Sequence, residues 1–215
     1  MAHQNLNAVA LAALVLAACG GNEATTAPAQ AAPDVASSSP GLPLDAKGWG
    51  EIHSPRYQLT VRLPDAKRWA VVKSQKDLFT AAHAPSRSAL QVGTFAEDEL
   101  VNRAMCEQKA RDLGLVPKSM TNATTIEDQS FVNAQDFDTR AWVSLRPGPK
   151  EGELTGDLFA FGAHVRKCLY VHFATIVTSE KEADALSERL AAARLHILGD
   201  LRLDEIEAVP RQAPR

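Results

Sequence analysis

Six histidines are the first place to look for chemistry in this chain. His83 stands three residues before Ser86, and His53 directly precedes Ser54. A base beside a hydroxyl is the start of a nucleophilic pair, but neither pair has a third, orienting residue in view along the chain. His164 and His172 fall on one face of a predicted strand, as two metal ligands would. Eight strand residues at about 3.3 Å each hold them roughly 26 Å apart, too far for one ion. Glu97-Asp98-Glu99 has the charge for a cation site or a carboxylate pair, and equally for the positive end of a helix dipole. Asp136 and Asp138 read as solvated carboxylates on a strand edge. Arg140, Trp142 and Arg146 share the polar side of a strand. Trp and Arg are the types that anchor interfaces, so these three are the candidate partner-binding residues; the alternative is that a helix covers Trp142. There is no Gly-x-Ser-x-Gly elbow, His-Glu-x-x-His, Cys-x-x-Cys, phosphate-binding glycine loop or EF-hand loop. The expectation is a non-catalytic domain without metal or cofactor. A secreted hydrolase whose site assembles only in three dimensions is the rival.

Three cysteines complete the chemistry. The first, Cys19, ends an apolar run from Ala8 to Ala18 that is shorter than the roughly 20 residues needed to cross a bilayer core. Leu16-Ala17-Ala18-Cys19, followed by Gly20-Gly21, resembles the lipobox of bacterial lipoproteins. The resemblance covers residues 1–21, and the segment Met1 to Asn7 departs from it in having no Lys or Arg. It implies a diacylglycerol on the Cys19 thiol, cleavage before Cys19 and acylation of the new amino terminus. It also implies a bacterial cell-envelope location. In a Gram-negative host, Gly20 after the cysteine implies the outer membrane, facing the periplasm or the cell surface. With Cys19 assigned to lipid, Cys106 and Cys168 remain as one pair, which an oxidising compartment joins as a disulfide. Two buried free thiols are the alternative. The bridge would close about 60 residues, worth roughly 3–4 kcal/mol in the chain-entropy model.

The formal net charge of -3 lacks the basic footprint a nucleic-acid partner requires. No second apolar run reaches membrane-spanning length, so contact with the membrane falls to the lipid, and the expected partner is an envelope protein. The organisation follows. Residues 1–18 are the signal, and 19–47 the lipidated cysteine with an Ala/Pro/Ser-rich tether that cannot offset its ordering entropy. Residues 48–205 form one globular domain, and 206–215 a frayed tail.

These candidate residues need elements to position them. Tyr57–Leu63 alternates and reads as a strand ended by Pro64-Asp65. Trp69–Val72, Leu78–His83 and Ala89–Phe95 read as further strands, the last two joined by Pro85-Ser86-Arg87-Ser88. A helix is expected over 98–113, with Glu97-Asp98-Glu99 at its start and Gly114 at its end. Val101, Met105, Cys106 and Leu113 form its inward face. Ser130–Val132, Phe137–Leu145, Leu158–Gly162 and Val165–Thr178 read as strands, and 146–156 as a partner-facing loop. In the last strand Val165, Leu169, Val171, Phe173 and Val177 share one side. His164, Arg166, Cys168, Tyr170 and His172 share the other, so a bridge to Cys106 requires the first helix to cover that side. The final helix carries a capping box at Ser179 and Glu182. Its apolar stripe is Ala183, Leu186, Leu190, Ala193 and Ile197, and Gly199 is the expected C′ residue.

Runs of strands with two main helices predict an α+β fold, mostly antiparallel sheet with the helices packed on it. Over residues 49–200 this order, with the Tyr57, Leu59, Pro64, Trp69 spacing, is similar to PsbP-like αβα sandwich domains. That likeness implies an αβα-sandwich-like layering and carries over no site residue.

Overall fold

Alternating apolar and polar side chains build a seven-stranded antiparallel sheet. Its strands are β3 (Ala70–Val72), β4 (Phe79–His83), β5 (Ser88–Ala96), β6 (Thr124–Val132), β7 (Asp138–Pro147), β8 (Leu154–His164) and β9 (Lys167–Val177), in the order β3-β4-β5-β9-β8-β7-β6. A smaller antiparallel sheet joins β1 (Trp49–Ser54), β2 (Leu59–Pro64) and β10 (Arg202–Leu203). The computed structural model describes residues 42, 48–73, 78–117, 120, 124–133 and 135–204. The signal, Cys19, the tether other than Leu42 and the tail from 205 lie outside the described residues.

Period-two alternation gives the large sheet two buried faces. On one, Ala141, Val143, Leu158, Ala160, Val171 and Phe173 pack against Leu59, Val61 and Leu63 of the small sheet. The same core takes in Leu186 and Leu190 of α2 (Ala183–Ala192) and Ile197 of the π-helical turns Ala193–Leu198 that continue it. On the other face Trp142, Phe159, Phe161, Cys168 and Tyr170 pack against Cys106 and Ala110 of α1 (Arg103–Asp112). The protein is thus α+β, with helices on both faces of a mostly antiparallel sheet, as its strand and helix order predicts. Gly156 lets α2 rest directly on β8, since a Cβ there would lie 2.7 Å from Leu190 Cδ1 and 3.1 Å from Leu186 Cδ1.

Several boundaries differ from the sequence reading, each for a local reason. Leu42, assigned to the tether, is only 6% exposed and belongs to the core, so the packed unit reaches back past residue 48. β1 and β10 lack strong alternation and exist because β2 pairs with both. Helix α1 begins at Arg103, not 98. Asn102 caps it, its Oδ1 accepting the Met105 N–H at 3.0 Å. The acidic run before it is bound elsewhere: Glu97 N–H donates to Arg166 O (2.8 Å) and Val101 N–H to Val165 O (2.9 Å). The inward face of α1 is Cys106 and Ala110, while Met105 and Leu113 are exposed. Small residues there allow the close approach the disulfide needs.

Val165 leaves its predicted strand. It is an exposed turn residue with φ 54°, between β8 and β9. At the final helix, Ser179 makes no side-chain cap; instead the Glu182 carboxylate accepts from the Thr178 N–H (2.9 Å) and hydroxyl (3.1 Å). Gly199 keeps a helical φ of -67° rather than the left-handed C′ conformation. A Cβ there would lie 2.3 Å from Leu195 O, so glycine is needed for space.

Candidate functional site

The sheet face toward α1 divides into two halves. In the covered half, Cys106 and Cys168 form a disulfide with Cα atoms 5.2 Å apart, pinning the helix to β9. The Tyr170 hydroxyl donates to Leu115 O at 2.9 Å. Burial, then the charge of Asp157, pushes this phenol well above its ordinary range. Trp142 is buried and stacks on Phe159 with ring centroids 4.5 Å apart. It sits in the core with Cys106, Ala110 and Met120, so its ring faces the protein and not a partner.

Beyond α1 the same face becomes polar. Strand register sets Trp142, Phe159, His172, Gln91 and Thr80 side by side across five strands. The next row contains Ser144, Asp157 and Ala174, and the row after it Arg146, Thr155 and Ile176. Asp157 is the centre. Its Oδ2 accepts from Arg146 Nε at 2.8 Å and its Oδ1 lies 2.8 Å from His172 Nε2. An ionised carboxylate only accepts, so Nε2 carries a hydrogen. The imidazole lies flat on Phe159, centroids 4.0 Å apart at 7°. Burial is the largest influence on Asp157 and pushes its carboxyl up. The hydrogen bonds from His172 and Arg146, with their charges, outweigh it, and the carboxyl is held below its ordinary range. The side chains grade from depth to surface: Asp157 is 1% exposed, His172 15% and Arg146 35%.

Arg146 thus joins this cluster, whereas Arg140 does not. Arg140 gives Nε and Nη2 to Asp128 (3.0 and 2.6 Å) and Nη1 to Glu107 (2.8 Å). Those bonds, led by the one to Asp128, raise the guanidinium and lower the Asp128 carboxyl. The three candidate residues are therefore dispersed: one in the core, one in an ion-pair cluster, one at the polar half-face. Of the 146–156 segment expected as a loop, only 148–153 connects the strands, since β7 runs to Pro147 and β8 starts at Leu154, and the β4–β5 turn clasps this connection. Arg87 donates Nη1 and Nη2 to Glu153 (2.6 and 3.1 Å) and lowers its carboxyl, and the Lys150 N–H donates to Glu153 as well (3.1 Å). Sequence reasoning passed over Asp157; its signal was a lone carboxylate inside the apolar run Leu154–Ala163.

The serine and histidine pairs resolve differently. His53 is exposed, with its ring on Thr60 Oγ1 at 3.1 Å. His164 packs against Phe137 (centroids 5.4 Å). His83, however, lies 2.7 Å from Ser86 Oγ through Nδ1 and 3.2 Å from Asp65 Oδ2 through Nε2. The third member that the chain order hid is thus present. Yet Ser86 is 0% and His83 1% exposed, and Trp69 stacks on the imidazole at 5.4 Å. The network continues inward from Ser86 to Ser88 (2.9 Å), Thr175 (2.9 Å) and the buried Arg189, whose Nη1 donates to Ser86 O (3.2 Å). Its evident role is to tie the β4–β5 turn to β9 and α2. Among the described residues no group of three His, Cys, Asp or Glu side chains forms a metal-sized site.

No family model matches the chain, and no curated protein matches it. Among solved structures, the fold is similar to that of Mog1p, a Ran-binding protein of Saccharomyces cerevisiae. The TM-score is 0.50 at 8% identity, over 73% of this chain and 95% of Mog1p. A Bacteroides thetaiotaomicron protein aligns with a TM-score of 0.41 at 9% identity, over 75% of this chain. The chain spans about half the length of that protein, 48%. At these identities the likeness to Mog1p concerns the fold alone.

Proposed function

We propose that this is an exported lipoprotein of the bacterial cell envelope, held to the membrane by acyl chains on Cys19, whose folded domain binds an envelope partner without catalysing a reaction. The binding surface is the half of the sheet face beyond α1, around Arg146, His172 and Gln91. The observation that carries the reading is the Cys106–Cys168 disulfide, because such bonds persist in oxidising compartments outside the cytoplasm. The lipobox-like segment supports it from the other end of the chain. The rival, a secreted hydrolase, draws on the Ser86, His83 and Asp65 geometry. It requires a nucleophile that substrate can reach, and Ser86 is sealed.

One experiment addresses anchor and partner together. The full chain, carrying a photo-crosslinking side chain at position 91, is expressed with and without Cys19→Ser. Cys19→Ser is expected to leave the membrane fraction or remain unprocessed. The unsubstituted Cys19 protein is expected to yield a discrete crosslinked species in intact envelopes. A Cys19→Ser protein that stays processed and membrane-bound ends the anchoring proposal, and an absence of crosslinks from intact envelopes ends the binding proposal.

A further inference from the structure

A single apolar side chain on a surface is ordinary, whereas a group of them beside a groove marks an interaction site. Such a group stands where the 97–102 connection enters α1. Leu100 is 71% exposed and Val165 60%, and Met105 is exposed as well. Backbone bonds fix them together: Val101 N–H donates to Val165 O at 2.9 Å, and Met105 N–H to the Asn102 cap at 3.0 Å. Beside them lies a cavity of about 230 Å³, lined chiefly by Val101, Met105 and Cys168. Val101 is only half-buried, so an incoming side chain reaches the groove from solvent. Met105, Gln108 and Asp112 border it at steps of three and four, so it runs along one side of α1.

Val165 adds a local cost. It opens the two-residue connection between the paired His164 and Lys167, at φ 54°. Among the described residues at positive φ, Val165 alone is branched at Cβ, the type least suited to that region. Its side chain is largely in water, so little packing offsets the strain. Strain kept at an exposed apolar residue points to function.

Charge identifies the occupant. The three cations of α1 are engaged: Arg103 with Asp138 (3.1 Å), Lys109 with Glu97 (2.9 Å) and Arg111 with Glu107 (2.6 Å). Asp98, Glu99 and Asp112 are exposed and make no ion pair among the described residues. Arg166 is the exposed cation of the β8–β9 turn, so this edge is acidic on balance. We propose that the groove and the Leu100–Val165 edge dock a basic amphipathic helix of a partner protein. Its apolar face would cover Leu100, Met105 and Val165, and its lysines or arginines would face Asp98, Glu99 and Asp112. This surface shares no residue with the half-face around Arg146, so the two can fail separately.

The test uses the full chain carrying Cys19→Ser in detergent-free buffer. The probe is a fluorescent helical peptide of leucine and lysine, about 18 residues long. Anisotropy is expected to show saturable binding that weakens as salt is raised. Leu100→Ser and Met105→Gln are each expected to weaken it about fivefold or more. Asp98→Asn with Glu99→Gln is expected to weaken it about threefold and flatten the salt dependence. Leu195→Ser, at an exposed leucine of the π-helical turns after α2, is expected to change nothing. Val165→Asn suits the left-handed backbone, so it is expected to keep or raise the thermal midpoint while weakening binding about threefold. That variant remains readable if another does not fold. No saturable binding, equal binding of a peptide with glutamate in place of lysine, or equal loss in Leu195→Ser overturns the proposal. Full affinity in Leu100→Ser and Met105→Gln also overturns it. Retention through Leu100 by phosphatidylcholine–phosphatidylglycerol vesicles in place of the peptide would make the occupant a lipid surface. A concentration-dependent dimer lost in Leu100→Ser would make it a second copy of this chain. Either result overturns the partner helix.

Discussion

Asp157 sits in the third strand from one edge of the sheet and in the fifth from the other, almost without contact with water, and remains a carboxylate. Burial alone would drive it toward the neutral acid, and two charge-assisted hydrogen bonds reverse that. The stabilisation it supplies has a definite pH window. Its folded carboxyl titrates below the ordinary value of 3.8, so the contribution is complete above that value and is lost as pH falls below it. Asp157→Asn keeps the shape and removes the charge that holds Arg146 and His172. It is expected to lower stability by about 1–3 kcal/mol at neutral pH, read as a lower urea midpoint with unchanged slope. The gap between the two proteins is expected to close as pH drops below 3.8. A gap that persists undiminished into strong acid would show that Asp157 acts by shape and not by charge.

Elements here are placed by small residues. Helix α1 approaches the sheet through Cys106 and Ala110, and the disulfide locks that approach across 62 residues of sequence. Helix α2 meets β8 at Gly156. Gly156→Ala puts a methyl group into Leu190 and Leu186 and is expected to cost about 1–3 kcal/mol by overpacking. Thermal unfolding measures this, and an unchanged transition would mean that α2 shifts freely on the sheet. The buried chain from Asp65 through His83, Ser86, Ser88 and Thr175 to Arg189 joins a turn, a strand and a helix at the same side of the sheet. It has the parts of a nucleophilic triad and the burial of a structural brace. Exposure, not composition, separates the two roles.

For the molecule as a whole, the N-terminal limit of the packed unit bears on the proposed anchoring. Leu42 packs with the small sheet and α2 in the larger core. Leu42→Ala is expected to cost about 2–4 kcal/mol, and a chain starting at Gly48 to lose a similar amount. Chemical denaturation distinguishes this from a spacer, whose mutation would cost nothing.

Period-two alternation in Leu59–Leu63, Phe137–Leu145 and Leu169–Val177 was enough to determine the α+β class and which side chains share a face, because a strand's side chains have no other choice. The pairing of Cys106 with Cys168 was also legible, from parity once Cys19 is assigned to lipid and from the side of β9 on which Cys168 falls. Local signals misled where another segment supplied the hydrogen bonds. Glu97-Asp98-Glu99 looks like a helix start, but its backbone bonds the β8–β9 turn. The candidate site was legible only at Arg146. Asp157 and Thr155 of β8 meet Ser144 of β7 and His172 of β9, 11 to 28 residues from one another between strands, only because β7, β8 and β9 pair in one register. Register is a property of the assembled sheet, and burial depends on where α1 stops. Tertiary structure alone therefore decided that Trp142 is core, that Ser86 is sealed and that Arg146 keeps an open edge.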